Sequence, residues 1–137
     1  MYNLDIQSIL KSNHNSPVKI GELTQDVIDK LNLNCSPRSI FLTPDRIYHC
    51  ENHKYQYSDN ASYEECLSNI PSIIERPDYI GFNQNHNSIQ YVKKLSDTIL
   101  VAIRIFDNGP LRLRTIFPIT EFYLKNKIKS KKLIPYK

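Results

Sequence analysis

Three consecutive segments in the second half of the chain alternate apolar and polar residues with a period of two. They cover residues 88–95, 98–106 and 111–119. Ser96-Asp97 and Asp107-Asn-Gly-Pro110 supply turn residues between them. Strands joined by such short turns pair antiparallel. The sequence therefore predicts an antiparallel β-meander, and this constrains the fold more than any other feature of the chain.

The residues before the meander are predicted to be mainly helical. Thr24 is suited to cap a helix that runs through residue 33. Thr43-Pro44 opens a second helix, because proline is favoured at the first helical position. Ser62 and Glu65 have the spacing of a capping box at the start of a third. Residues 39–42, before the second helix, are either a strand or an entry segment.

Helices followed by a meander predict a single α+β domain over residues 1–137. The amino-terminal helices should pack on one face of the carboxyl-terminal antiparallel sheet, leaving the other face open for a ligand. Residues 1–17 form a poorly defined segment, with 5–10 as a candidate short helix. Residues 120–137 form a basic segment, in which Thr120 caps a helix over 121–129 anchored by Phe122 and Ile128.

Composition excludes several classes of protein. With 40% hydrophobic residues the chain can bury a core, and three glycines argue against Gly-rich phosphate loops. No apolar run approaches the roughly 20 residues that cross a bilayer, and the amino terminus lacks the cations of a signal peptide. Three cysteines without CxxC spacing favour reduced thiols in the cytoplasm.

Positive charge is concentrated at the carboxyl end. Residues 104–137 contain nine Lys/Arg against two acidic residues, a net charge of +7, whereas the preceding residues have nine against twelve. Such asymmetry indicates an anionic partner, and nucleic acid is the commonest one. Charge alone does not distinguish this partner from a solvated lysine-rich tail.

The helix that begins at Pro44 carries two histidines. At 3.6 residues per turn, Arg46, His49 and His53 lie along one stripe. A zinc site formed by the histidines with Cys50 and Cys66 or Cys35 is one interpretation, and an exposed helix face without function is another. Cys50 points away from the stripe and the glutamate of an HExxH motif is absent, so we predict no metal and no cofactor.

The same residues fit RNA cleavage without a metal. Histidine can accept the 2′-OH proton or protonate the leaving oxygen, and cations stabilise the phosphorane. The strands supply Lys93, Arg104, Arg112, Arg114 and Thr115. Alternation places Arg112 and Arg114 on one face and Thr115 on the other, unless a bulge intervenes. His86 lies in an Asn-rich loop and is predicted to be solvated.

The order of these segments resembles a known family. IGELTQDVIDKL (20–31), IFLTPDRIYHCENHK (40–54), SIIERPDYIGF (72–82), SIQYVKKL (88–95), ILVAIRI (99–105) and LRLRTIFPI (111–119) are similar to the phage-type nuclease domains of the Barnase–EndoU–colicin–RelE superfamily. These are small metal-independent RNases of prophages, polymorphic toxins and toxin–antitoxin systems. The resemblance implies the fold of that superfamily. It also implies that the substrate is RNA, with tRNA among the candidates.

The resemblance also implies roles for particular residues. The catalytic set is His53 with His49 as its partner, Lys93, Arg114 and Thr115. The expected nucleic-acid-binding residues are Arg46, Lys54, Arg104, Arg112, Lys125 and Lys129. The product would be a 2′,3′-cyclic phosphate, and a cognate antitoxin or immunity protein is an expected partner. Asn52 stands where the family often has an arginine, which keeps a non-catalytic RNA- or protein-binding module as the alternative.

Overall fold

The computed structural model describes residues 17–106 and 108–136, which form a sheet and five helices. The strands are β1 (Val18–Leu23), β2 (Arg38–Leu42), β3 (Tyr79–Asn83), β4 (Ser88–Lys94), β5 (Thr98–Arg104), β6 (Leu111–Ile119) and β7 (Ile134–Pro135). The helices are α1 (Gln25–Leu31), α2 (Pro44–Glu51), α3 (Asn60–Ser68), α4 (Ile70–Glu75) and α5 (Glu121–Lys129), with a 3-10 turn at Lys54–Gln56. The candidate helix at residues 5–10 lies outside the described residues.

The seven strands form one sheet in the order β1-β2-β6-β5-β4-β3-β7. Neighbouring strands pair antiparallel except β2 and β6, which are parallel. The α+β class and the β4–β5–β6 meander are confirmed, but the predicted arrangement is incomplete. β1, β3 and β7 were missed because β1 carries a bulge that breaks its alternation, and β3 and β7 are short.

Both faces of the sheet are buried in part. Tyr91 and Val101 join the core under the amino-terminal helices, whereas their neighbours Val92 and Leu100 join a second core with Leu124 of α5. Because successive strand residues point to opposite faces, α5 lies on the face that was expected to be open. The prediction of an open second face is therefore wrong in part, because α5 covers some of it.

The predicted caps at the helix starts are confirmed in two cases and not in two others. Thr43 is at the cap position of α2, but its side chain makes no capping hydrogen bond. Thr24 Oγ1 accepts from the Val27 N–H and Thr120 Oγ1 from the Tyr123 N–H, as predicted. The predicted capping box at Ser62 is wrong, because the cap of α3 is Asp59, three residues earlier, whose side chain accepts from the Ser62 N–H at 2.7 Å. An aspartate is as good a cap as serine.

Of the two predicted anchors of α5, Ile128 packs against the second core, whereas Phe122 does not. Phe122 is 76% exposed, and Leu124 is the buried residue of the helix. Cys50 and Cys66 are buried in the core.

Gly81 of β3 allows the carboxyl-terminal segment to pack directly on the sheet. A Cβ at this position would lie 2.1 Å from the backbone carbonyl oxygen of Lys132. Since backbone cannot move aside without displacing the neighbouring buried Leu133, only glycine fits here.

We expect Gly81→Ala to lower the free energy of unfolding by about 2 kcal/mol through this overlap, measured by urea denaturation. Gly109→Ala is the control: Gly109 has φ of 81° with open space around it, so strain alone should cost about 1 kcal/mol. Equal losses for the two variants would show that the Lys132 contact does not constrain β3.

Burial should make the stability of the fold sensitive to alkaline pH. Burial raises the pKa of the Cys50 thiol and of the Cys66 thiol to about 12 from 9.0. Unfolded chains therefore release these protons above about pH 9 while the folded protein keeps them. The stabilising contribution is complete below pH 9 and declines as the pH rises towards 12.

We expect the free energy of unfolding, measured in urea with a reductant, to fall between pH 8 and 10. Above pH 9, each thiol should contribute a loss of up to about 1.4 kcal/mol per pH unit. A Cys50→Ala/Cys66→Ala variant should be less stable at pH 8 but should lose less over this interval. A decline of the same size in both proteins would assign the effect to other groups.

Candidate functional site

An open cleft of about 490 Å³ lies between α2 and the strands β5 and β6. It is lined by Thr43, Asp45, Arg46, His49, Arg104, Phe106, Arg112, Leu113, Arg114 and Thr115. Among the described residues that line the cleft, there are thus four guanidinium groups, one imidazole and a single carboxylate. Six of the eleven residues expected to form the site lie here, brought together from three elements.

Helix α2 presents two of these residues because of its packing. Ile47 and Cys50 are buried against the core, which turns Arg46 and His49, three residues apart, towards the cleft. Arg46 Nη1 donates to the backbone carbonyl of Arg114 at 3.3 Å, and its Nε lies 3.8 Å from Asp45. Arg46 therefore tethers α2 to β6.

A β-bulge in β6 decides which strand residues face the cleft. Ala102 pairs with Thr115 and the next residue, Ile103, pairs with Leu113, so Arg114 is the extra residue. The bulge reverses the alternation beyond it. Arg112 and Thr115 consequently share a face, which is the exception that the sequence analysis left open.

The cleft is electrostatically unbalanced. Arg104 and Arg112 are directly opposite each other on β5 and β6, an arrangement that like charges disfavour. Arg104 also lies over the ring of Phe106, with its Cζ 5.8 Å from the ring centroid. The four guanidinium groups, against one carboxylate among the described lining residues, favour a multiply charged anion such as a phosphodiester chain.

His86 is a neighbour of the cleft that the sequence analysis missed. Its Nδ1 lies 3.3 Å from Arg114 Nη2, and it accepts that hydrogen bond when its proton is on Nε2. The prediction that His86 is solvated is incomplete, because the exposed side chain also contacts Arg114. Recognising β3 would have placed His86 in the β3–β4 turn, beside the end of β5.

His53 lies beside the cleft rather than in its lining. Helix α2 ends at Glu51, so His53 is not on the helix but immediately precedes the 3-10 turn. Its ring centroid is still 5.0 Å from that of His49, and its Nδ1 is 3.5 Å from Gln56 Nε2. Lys54, next in the chain, is exposed and does not line the cleft.

Lys93 and the two helix lysines lie elsewhere. Lys93 Nζ donates to the Arg76 carbonyl at 2.7 Å and lines a separate pocket. It is five residues along β4 from Ser88, the partner of Arg104, or about 17 Å. Lys125 and Lys129 are exposed on α5 and also lie outside the cleft lining.

Residues 17–106 and 108–136 contain neither a metal-binding cluster nor a membrane-spanning helix. Within these ranges no three His, Cys, Asp or Glu side chains are grouped so that they could hold a metal ion. None of the helices in the same ranges has the length and apolar character needed to cross a bilayer.

A cationic cleft with an adjacent imidazole on an α+β fold defines a protein equipped to bind phosphate esters and to transfer protons at them. The chain belongs to the family described as phage-Barnase-EndoU-ColicinE5/D-RelE like nuclease 3, whose model matches residues 18–126. The resemblance inferred from the sequence is thereby confirmed, and the family is one of nucleases. Neither curated proteins nor solved structures gave a match.

Proposed function

We propose that the protein is a metal-independent endoribonuclease that cleaves RNA by attack of the 2′-oxygen on the adjacent phosphorus. The observation that supports this most directly is the presence of His49 in the same cleft as four arginines and Thr115. One phosphodiester in this cleft would contact both a group that transfers protons and groups that stabilise negative charge.

The chemistry needs two proton transfers and no redox step. A base removes the 2′-OH proton, the 2′-oxygen bonds to phosphorus, the bond from phosphorus to the 5′-oxygen breaks, and an acid protonates that oxygen. The products are a 2′,3′-cyclic phosphate and a 5′-hydroxyl. Imidazole suits both steps near neutral pH, so we assign one transfer to His49.

We assign the other transfer to His53. Its ring is adjacent to that of His49, and a small movement of the segment after α2 would bring it to the phosphate. His53 is half-buried and His49 exposed.

The arginines would stabilise the negative charge that develops on phosphorus. Arg46 and Arg114 lie close together, since one donates to the carbonyl of the other, and we assign them to the phosphorane oxygens. Thr115, on the face that the bulge creates, would donate its hydroxyl to a phosphate oxygen. Arg104 and Arg112 would bind the flanking phosphates.

A non-catalytic RNA-binding module of the same fold is the second candidate. Two observations favour it: His53 lies outside the cleft lining, and Lys93 lies in another pocket. Such a protein would bind RNA through the arginines with strong salt dependence and leave the RNA intact.

In cells, we propose that the nuclease acts as a toxin or prophage-type effector. It would act on RNA in the cytoplasm of a bacterium, a phage-infected host or a target cell. A cognate antitoxin or immunity protein would then be required to protect the producing cell, and the cationic cleft is the surface that an acidic inhibitor would cover.

We expect purified protein to cleave total RNA in excess EDTA. The 2′,3′-cyclic phosphate ends should resist ligases and polymerases that need a 3′-hydroxyl, and the new 5′-hydroxyl ends should be labelled directly by polynucleotide kinase. His49→Ala and Arg114→Ala should each lower the rate by at least about 100-fold, because general acid–base and electrostatic contributions reach this size.

Lys93→Ala is the matched control, since it removes one strand cation outside the cleft and should leave the rate within about twofold. Intact RNA with the wild-type protein, together with salt-dependent binding, would support the non-catalytic module instead. Cleavage that requires a divalent ion would contradict the proposed chemistry.

Induction of the wild-type protein in a bacterium should arrest growth, and His49→Ala should relieve the arrest at equal protein levels. Tracking cell density together with an immunoblot tests this. Arrest of equal strength by both proteins would show that toxicity does not depend on the proposed RNA cleavage. If cells that produce the wild type grow normally although the purified protein cleaves RNA, only the toxin role is contradicted.

A further inference from the structure

A second cavity lies between the last turns of α1 and α5 and the edge of β3. Its volume is about 560 Å³, and we call it the lysine groove. Its cations are Lys30, Lys127, Lys131 and Lys132. Four side-chain amides also line it: Asn83, Gln84, Asn85 and Gln90. No carboxylate is among its described lining residues, so the lysine groove is the second place where the chain concentrates cations.

A fixed reversal of the chain after α5 holds two of the lysines in position. Lys131 has a left-handed backbone with φ of 62°, and the N–H groups of Lys132 and Leu133 both donate to the carbonyl of Lys127, at 2.9 and 3.1 Å. Leu133 is 1% exposed. The reversal is therefore anchored in the core and places three lysines against β3.

These cations remain available for a ligand. Lys30 Nζ lies 5.5 Å from the ring centroid of Tyr136 and Lys127 Nζ lies 5.2 Å from that of Tyr123. Within the described parts of the chain, neither these two nor Lys131 and Lys132 pair with a carboxylate. An anion in the lysine groove would gain the attraction of all four with little competition.

The β3–β4 turn connects the lysine groove with the cleft. Gln84 and Asn85 line the groove, and the next residue, His86, contacts Arg114 of the cleft. Asn87 holds the turn in place, because its backbone carbonyl accepts from the Ile105 N–H and its side chain donates to the Ile105 carbonyl. This rigid bridge contains amides and one imidazole and no acidic residue.

We propose that the lysine groove binds the backbone of the same single-stranded polynucleotide whose scissile phosphate occupies the cleft. The strand would leave the cleft beside His86, cross the β3–β4 turn and enter the groove. This inference rests on the proposed function for the identity of the ligand, and it adds a subsite that requires a substrate longer than the cleaved step.

The position of the groove favours a polynucleotide over an acidic peptide. β3 and β6 are three strand spacings apart, about 14 Å, so a single nucleotide cannot reach both sites. A polyanion that follows the turn meets a cation or a neutral donor at each step, from Arg114 through Asn85 to Lys131. A chain of repeated phosphates would present an acceptor to each of these donors in turn.

The test measures binding of a 2′-O-methyl oligonucleotide of about 20 nucleotides, which cannot be cleaved because its 2′-oxygen is blocked and which exceeds typical single-strand sites. Lys131→Ala/Lys132→Ala should weaken binding by about tenfold or more at low salt. The slope of log K against log salt should become shallower by about 1.4, since each phosphate contact on a single strand contributes about 0.7.

Lys19→Ala/Lys94→Ala is the matched control, with the same loss of two positive charges and no residue of the groove or the cleft lining changed. Its slope should stay within about 0.3 of the wild type. Equal changes for the two double variants would mean a general electrostatic effect and would overturn the proposal. So would unchanged oligonucleotide binding accompanied by weaker binding of a polyglutamate peptide, which would assign the groove to acidic peptides.

A second arm separates this proposal from the proposed function. If the wild type cleaves RNA, Lys131→Ala/Lys132→Ala should raise KM for a long substrate and leave cleavage of a dinucleotide unchanged; equal effects on both substrates would overturn the subsite. If the wild type cleaves neither, the nuclease proposal fails while the binding slopes still test the groove. Circular dichroism and urea denaturation verify that each variant is folded.

Discussion

The parallel pairing of β2 with β6 is the contact on which the site depends. It involves Ile40 with Leu111 and Phe41 with Arg112, residues far apart in sequence, so forming it requires closing a long loop at considerable entropic cost. Ile40 and Leu111 are fully buried, which offsets that cost. Because β2 leads directly into α2, the pairing sets His49 beside the cationic strand. A meander alone would present arginines without an imidazole.

The bulge at Arg114 acts at the level of single side chains. It turns Thr115 to the face of Arg112 and leaves the Arg114 backbone carbonyl available to Arg46. In a regular ladder, that carbonyl would be committed to strand pairing or would point away. The single inserted residue therefore determines which side chains face the cleft and also provides the carbonyl that attaches α2 to β6. Bulges are frequent beside functional sites for this reason.

The sequence predicted what depends on local pattern and missed what depends on distant contacts. Alternation located β4, β5 and β6, and the threonine caps located α1 and α5, because each signal is complete within a few residues. The partner of β2, the bulge and the contact between His86 and Arg114 depend on register across strands, which no short window contains. The prediction that α2 extends to His53 was wrong, because the helix ends before Asn52. The sequence has no glycine or proline at this point that would indicate a helix end.

Charge is segregated along the strand direction, and this bears on how the site would work. At the β4–β5 turn, carboxylates serve the fold: Asp97 accepts from Ser58, and Glu65 accepts from the Ser96 N–H. At the opposite end of β5, Arg104 and Arg112 face one another, and Asp45 is the one carboxylate among the described residues of the cleft lining. Repulsion there lowers stability, and a sequence selected for stability alone would relieve it. The uncompensated positive charge creates an electrostatic field that attracts polyanions to the end of the sheet where the imidazoles lie.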